Sequence, residues 1–426
     1  MVPHLVTALS GPINELEQRI LDATPVIERW FRLEWMEHTP PLYCSVDIRN
    51  AGFKLAPVAA ELFPRGWHNL SEDVLPLAVQ AGQAAIQKIC PEARNLLIVP
   101  ASGKPSGPYL ANLAQLGRIF RLAGLNVRYG SIDPAVKRSV THKLPGGAAL
   151  VFEPALRSRY RLGLKHFDPC VILLDDDLAH GTPGILEDLH EQYLLPPLQA
   201  TWPVRRRSRH ASHYEEVSKR FGKLLGIDPW LIQPLTAHCQ GVDARKSEGL
   251  ERLHESVNTL LARLRRKHKE YGIADKPFVL LKPDCGAVGA DVLALGSAAE
   301  LGAAGGKPAH KALTQLARGG DVIVQEGVPT CERLHDMVAE PSVYLIDRYV
   351  VGGYYRMYAD AAASLGAPAA GCVPLAFDGR NHLPHAAEPG ASAPNRFYMY
   401  GVIARVALVV ASYELEATDP QWNEEA

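Results

Sequence analysis

The apolar positions of the first forty residues recur with a helical period. Ser10 can cap a helix with Pro12 in its first turn, and Thr24-Pro25 repeats the signal before Ile27, Trp30, Phe31 and Trp35. Pro40-Pro41 breaks the pattern. Val46 to Asn50 and Phe53 to Leu55, bounded by Gly52 and Pro57, are short mixed runs of the kind strands or extended loops make. A helical period returns from Leu75 to Cys90. Leu96 to Val99 is then an unbroken apolar run of strand length, followed by a small-residue loop from Pro100 to Pro108. A helix from Ala111 to Ala123, stopped by Gly124, leads to an extended run from Val127 to Ile132, and a crossover of that length implies parallel pairing. A second apolar run, Val171 to Leu174, ends in Asp175-Asp176-Asp177 and is followed by an expected helix from Pro183 to Tyr193. The middle of the chain therefore reads as α/β.

Two further helices are expected, from Tyr214 to Leu225 and from Glu248 to Tyr271, the second closed by Gly272. Composition then turns β-rich and glycine-rich, which places a boundary near Asp275-Lys276-Pro277. The pattern divides the chain into residues 1–90, 91–275 and 276–426.

Composition narrows the function. In 426 residues, 45 basic side chains balance 46 acidic ones, so no global field recruits nucleic acid or an anionic membrane. The basic run Arg205 to Arg209 is expected to be a solvated or salt-bridged face. The apolar stretch Val402 to Val410, interrupted by Arg405, is far short of the roughly 20 residues of a membrane span. Met1 to Ser10 lacks the basic and apolar regions of a secretion signal, so a cytoplasmic location is expected. Seven scattered cysteines without a C-x-x-C pair argue against a disulfide framework and a zinc site, and for a reducing compartment.

Candidate chemistry lies in the last third. Phe278 to Lys282 is a strand that delivers a lysine into a turn with Gly286 and Gly289, before a strand from Val292 to Leu295; backbone N–H groups and an ammonium in that arrangement suit phosphate. No G-x-x-x-x-G-K-[ST] is present, which excludes a P-loop. Asp321 to Val328 is a buried strand whose polar end, Gln325 and Glu326, can face a nucleotide. Val343 to Arg356 reads as a hairpin turning at Gly352-Gly353, with Arg348 and Arg356 on its two arms, able to clamp a phosphoryl group.

Lysine strand, Gln-Glu strand and arginine hairpin, in that order, resemble the ATP-grasp fold. Several stretches resemble the short proteobacterial class of glutamate–cysteine ligase more closely. They are Pro41 to Val58, Phe167 to Cys170, Leu194 to Leu198, Gly226 to Ile232, Val322 to Thr330, Tyr344 to Arg356, Arg396 to Tyr398 and Tyr413 to Glu416, nearly the whole chain. The resemblance implies an ATP-grasp-like α/β protein, with an N-terminal α/β part whose sheet is partly parallel and β-rich nucleotide-binding lobes after residue 276. It implies ATP and Mg2+ as cofactors, and glutamate and cysteine as small-molecule substrates joined through an acyl phosphate. Lys282, Gly286 and Gly289 would meet the ATP phosphates; Gln325, Glu326 and Val328 would line the nucleotide; Arg348 and Arg356 would hold the acyl phosphate. Asp47, Arg49, Asn50 and Lys54 carry charges suited to an amino acid's ammonium and carboxylate, or, as the alternative, to anchoring a loop.

The chain departs from the family pattern at three loci. After Lys282 it reads Pro283-Asp284-Cys285-Gly286-Ala287-Val288-Gly289-Ala290-Asp291, where the family reads Ala-Asp-Ala-Gly-Thr-Tyr-Gly-Met-Gly. Ala362 to Ala369 carries no carboxylate or amide where the family has an acid and asparagines. Ala59-Ala60-Glu61 replaces Asp-Thr-Asn. Magnesium takes hard oxygen ligands, so the second departure leaves its ligands unassigned. The alternative function is a diverged ATP-grasp paralogue that joins another amino-acid pair or does not turn over.

Overall fold

The computed structural model describes residues 5–6, 12–243, 246–286, 292–303, 313–317, 320–365, 367–375 and 396–419. The Ser10 cap and Gly289 lie outside them. Helices α1 (Pro12–Asp22) and α2 (Thr24–Glu37) open the chain, with Pro25 in the first turn of α2. Strands β1 (Tyr43–Asn50) and β2 (Leu55–Glu61) pair antiparallel, with Asp47 opposite Ala59 and Ile48 opposite Pro57. Val58 is the extra residue of a bulge, a device that re-aims a strand next to a site.

The next region forms helix α3 (Leu75–Ile89), strand β3 (Asn95–Pro100), helix α4 (Gly107–Leu122) and strands β4 (Asn126–Ser131), β5 (Val140–Lys143), β6 (Ala149–Pro154), β7 (Val171–Asp175) and β8 (Tyr193–Leu195). They make a sheet in the order β8-β7-β3-β4-β6-β5, parallel throughout except for β5. Leu97 and Val99 enter one core while Leu96 and Ile98 enter another, so both faces are covered. Two covered faces explain the unbroken apolar runs.

Two expectations give way here. Pro183 to Tyr193 forms only the single 3-10 turn Gly184–Leu186. The Arg157 guanidinium donates to the carbonyls of Ile185, Glu187 and Asp188, groups a helix would have needed, and Asp188 has φ 51°. The cysteines are not all free either. Cys90, at the end of α3, and Cys170, before β7, form a disulfide, a contact between positions 80 apart that spacing could not reveal.

Helix α5 (Arg207–Leu225) begins seven residues earlier than its apolar period suggests. Strand β9 (Thr236–Cys239), helix α6 (Ser247–Glu270) and strands β10 (Val279–Pro283), β11 (Leu293–Leu295) and β12 (Val322–Glu326) build an antiparallel sheet in the order β9-β12-β10-β11. Period-2 alternation divides it. Val279, Leu281, Val322 and Val324 pack on Leu253, Val257 and Leu261 of α6, which turns Leu280, Lys282, Ile323 and Gln325 to the opposite face. Thr236 pairs with Gln325, so β9 and α6 join the lysine strand's sheet although they precede the boundary expected at 275.

Strands β13 (Arg333–Leu334), β14 (Met337–Ile346), β15 (Tyr349–Tyr358) and β16 (Gly371–Pro374) form a seven-stranded sheet with β1, β2 and the short strand Leu5–Val6. β1 pairs with β14, Asp47 opposite Ser342, so this sheet draws from both ends of the chain. The hairpin turns at Asp347-Arg348 rather than at Gly352-Gly353, because Ile346 pairs with Tyr349. Both glycines sit inside β15 for close approach. A Cβ on Gly352 would lie 2.9 Å from Val74 Cγ2, and one on Gly353 would lie 2.7 Å from the Ser342 carbonyl oxygen.

Helix α7 (Phe397–Glu416) covers this sheet, packing Val406, Val409 and Val410 into one core with Val46, Ile48, Val343 and Leu345. It runs to 20 residues, longer than the sequence suggests, and has the length and composition of a membrane span, but 83% of its apolar window is buried inside the protein.

At the end of β7, Asp175 is buried, accepting from Asn112 Nδ2 at 3.4 Å on one oxygen with no hydrogen-bond partner on the other. Burial pushes its carboxyl up to about 7. The unfolded carboxylate ionises near its ordinary value, so wild-type stability falls as pH rises toward 7, by roughly 1.4 kcal/mol per unit. Asp175→Asn is expected to remove that slope, gaining roughly 2–3 kcal/mol relative to wild type between pH 5 and pH 8. Urea melts at both pH values measure it; an unchanged difference would contradict it.

Candidate active site

A cavity of about 950 Å³ lies between the cavity-facing side of the four-stranded sheet and the seven-stranded sheet, closed by the start of α5. Its size is that of a small-molecule site. Leu280, Lys282, Ile323 and Gln325 line it from one sheet; Asp47, Arg49, Glu61, Glu340 and Arg356 line it from the other; Arg205 and Arg207 close the side.

The seven-stranded sheet contributes two interlocked ion pairs. Asp47 accepts from Ser342 Oγ at 2.7 Å and from Arg356 Nη1 at 2.5 Å. Arg49 Nε lies 3.0 Å from Glu340 Oε1, and its Nη atoms donate to the carbonyls of Val328 at 3.2 Å and Ser364 at 2.7 Å. Burial pushes the Glu340 carboxyl up, against the pull of Arg49. Across the cavity, Lys282 Nζ donates to Gln325 Oε1 at 2.5 Å and lies 3.4 Å from the Val58 carbonyl exposed by the bulge. Burial, with the charges of Arg207 and Arg49, pulls that ammonium down to about 7. Arg207 donates to the Pro283 and Gly286 carbonyls at 2.7 and 2.8 Å and lies 4.4 Å over the Trp202 ring.

Six expected residues thus converge: Asp47, Arg49, Lys282, Gly286, Gln325 and Arg356. The others do not. Arg348 occupies the exposed hairpin tip, 3.9 Å from Asp347, eight residues or about 26 Å of strand from Arg356. The second guanidinium that this sheet brings to the cavity is instead Arg49 on β1, with β14 between it and β15. Lys54 is fully buried on Glu326 at 2.9 Å and on the Gln233 carbonyl at 2.7 Å, with its ammonium pulled down to about 8 by burial. Glu326 also accepts from Trp230 Nε1 and Leu235 N, so its carboxylate is committed away from the cavity. Val328 is buried and offers only its carbonyl to Arg49. Asn50 takes the anchoring role, accepting from Gly52 N at 2.9 Å and donating to Glu332 at 3.1 Å.

Sequence reasoning missed Glu61, Glu340, Arg205 and Arg207. The signal for the two acids was a charge inside or closing an otherwise apolar strand, and for the arginines it was the basic run taken for a solvated face. Arg205 is salt-bridged, but it is buried at the cavity: its Nε donates to Glu414 at 3.0 Å and its Nη1 to the Ala60 carbonyl at 2.8 Å. Burial works to raise the Glu414 carboxyl, yet Arg205 and His210 outweigh it and hold it at about 2.

The fit for magnesium is poor among the described residues. Asp47 and Glu340 are each closed by a guanidinium, Glu414 by Arg205 and His210, and Glu215 by Lys219, so Glu61 is the one cavity carboxylate among the described residues left without a bonded cation, too few oxygens for a site. His238, Asp284 and Asp321 bring ligand atoms within 4.8 Å of one another, but that set mixes an imidazole with carboxylates that already accept from Ser208 N and Gly241 N. Magnesium favours an all-oxygen set.

Comparison with known proteins gives the family. The sequence model of the family described as glutamate-cysteine ligase matches residues 17–415. A crystal structure from Methylobacillus flagellatus KT, of a protein provisionally assigned as a gamma-glutamylcysteine synthetase, is 45% identical and covers 98% of this chain and 100% of its own, with a TM-score of 0.88. A glutathione synthetase-like effector from Globodera pallida has 10% identity and a TM-score of 0.35 over 80% of each chain. D-alanyl-alanine synthetase A from Vibrio cholerae has 14% identity and a TM-score of 0.29, covering 62% of this chain and 67% of its own. At those values neither bears on the fold. No curated protein matches the chain in sequence.

Glu414→Gln is expected to cost about 3–5 kcal/mol at neutral pH by leaving Arg205 buried and unpaired. Wild-type stability from this group is present above the ordinary carboxylate value and lost as pH falls toward 2. Acid titrations followed by circular dichroism should find the variant flatter between pH 4.5 and 2.

Proposed function

Since the chain belongs to the glutamate–cysteine ligase family, we propose that this cavity is where it binds ATP and joins the γ-carboxylate of glutamate to the amine of cysteine, with the two sheets acting as the lobes of an ATP-grasp arrangement. The ligase activity follows from the family. The observation that carries the site is the convergence of Lys282, Arg207, Arg356 and Arg49 on one cavity between two sheets. Four cationic groups with low-dielectric walls suit a triphosphate and a developing acyl phosphate better than a neutral ligand. The alternative, a paralogue with another amino-acid pair or without turnover, gains no observation in its favour.

Lys282 lines the cavity from the four-stranded sheet and Arg356 from the seven-stranded one. With its ammonium near neutrality when the cavity is empty, it becomes fully charged beside an anion and holds phosphate oxygens. Gly286, with φ 106°, permits the turn after the lysine, and Arg207 fixes that turn by binding carbonyls on both sides of it. Arg356 is held by Asp47 and Arg49 by Glu340, so neither guanidinium has to reorganise as charge develops on the transferred phosphoryl group. Glutamate's own ammonium and carboxylate find complementary charges in the same two pairs. The family implies ATP and a divalent metal, which neutralises phosphate charge when bound; the described residues assign it no ligand set.

Phosphate release from ATP with magnesium, glutamate and cysteine, with each substrate omitted in turn and the product identified by mass, tests the reading. Turnover requiring both amino acids and yielding γ-glutamylcysteine is expected. Lys282→Met should lower kcat/KM for ATP by about 10²- to 10³-fold; an unaffected variant would remove the lysine from the phosphate site.

A further inference from the structure

Four carboxylates line the cavity: Asp47, Glu61, Glu215 and Glu340. Three are engaged. Asp47 is held by Arg356 and Ser342, Glu340 by Arg49, and Glu215 by Lys219 at 2.7 Å. The half-buried Glu61 has no hydrogen-bond or ion-pair partner among the described residues. It closes β2 just beyond the bulge, next to Ala60, whose carbonyl is held by Arg205. Ala59 and Glu61, two residues apart on one strand, share a face. The cavity wall therefore keeps an acid even though the aspartate of the resembled pattern is absent from position 59.

An unpaired carboxylate among cations needs a chemical reason. An amine that attacks an acyl phosphate forms a C–N bond and expels phosphate with the C–O electron pair, and the nitrogen then carries a proton that the amide cannot keep. We propose that Glu61 accepts that proton, acting as the general base for the amine step, and passes it to the departing phosphate or to water. The proposal rests on the ligase reading given above.

The surroundings fit a base more than a structural charge. Arg205 just before α5 and Arg207 at its start act on Glu61, with Arg356 from β15 and Lys282 from β10, while Asp47 on β1 works against its ionisation and the Cys44 thiol on the same strand is raised by it. Burial pushes the carboxyl up, and the arginines limit that rise. A carboxyl raised above its ordinary value is a stronger base than a solvated one, which is the direction general-base work needs. Other bases in the cavity are worse placed. His210 is bonded to Glu414 at 3.0 Å, His180 is exposed, and Lys282 is committed as a cation to phosphate.

Hydroxylamine separates the steps, because it is neutral at pH 7 and its adduct is acidic enough to lose its proton to water. Wild type should make γ-glutamylcysteine and, with hydroxylamine in place of cysteine, γ-glutamyl hydroxamate. Glu61→Gln should lower kcat with cysteine by about 10²- to 10⁴-fold, lose the acidic limb of the kcat–pH profile, and keep hydroxamate formation within tenfold. Hydroxamate formation by the variant also certifies that it folds. Glu61→Asp should recover part of the cysteine rate. Equal losses with both nucleophiles, or a raised magnesium requirement in the hydroxamate assay, would overturn the assignment, the latter by making Glu61 a metal ligand. A wild type that makes neither product would overturn the ligase reading and this proposal with it.

Discussion

The buried ion pair between Arg205 and Glu414 holds three parts of the chain to one point. Glu414 lies near the end of α7, Arg205 just before α5, and Arg205 reaches past the pair to the Ala60 carbonyl on β2. Taking both charges out of water costs several kcal/mol each, and the pair offsets that cost only because His210 and the Ala60 carbonyl complete its hydrogen bonds. Such a pair is poor evidence of extra stability. Its contribution is registry: it fixes the C-terminal helix against the seven-stranded sheet and sets Arg207 and Glu61 on adjoining walls of the cavity.

From that fixed point, strand alternation does the rest. Each strand that reaches the cavity gives one set of side chains to a core and the alternate set to the site. On β10, Val279 and Leu281 pack on α6 while Leu280 and Lys282 face the cavity; on β14, Val343 and Leu345 pack under α7 while Glu340 and Ser342 carry charge and hydroxyl to the opposite side. A slip of one residue in either register would exchange the two sets. At the Val58 bulge the alternation is broken, and the freed carbonyl faces Lys282.

Two of the cavity's charge pairs are formed before any substrate arrives. Asp47 with Arg356 and Glu340 with Arg49 keep the guanidiniums aimed without leaving them buried alone. A ligand's negative charge then meets oriented donors in a low-dielectric pocket, where they act more strongly than in water. The same logic explains why Lys54 and Glu326, although charged and close in sequence to site residues, belong elsewhere. Their mutual pair, with Lys54 over the Trp230 ring, ties the turn between β1 and β2 to the end of β12.

The sequence by itself determined the elements with one strong period or one unbroken run: α3, α4, α6, the parallel strands β3, β4 and β7, and the lysine strand β10. Those depend on local burial, which the pattern of side chains encodes directly. It also carried the family, because the matching stretches run nearly end to end. Tertiary structure decided what depends on contacts between distant segments. The hairpin tip moved to Asp347-Arg348 because Gly352 and Gly353 are needed where Val74 and Ser342 come close, and the 183–193 helix failed because a distant arginine took its carbonyls. The Cys90–Cys170 link, the cavity position of Arg205 and Arg207, and the lack of a bonded partner for Glu61 among the described residues had the same origin. A charge in a sequence has no partner until the chain folds, and partners are what separated the residues of the cavity from those that only support it.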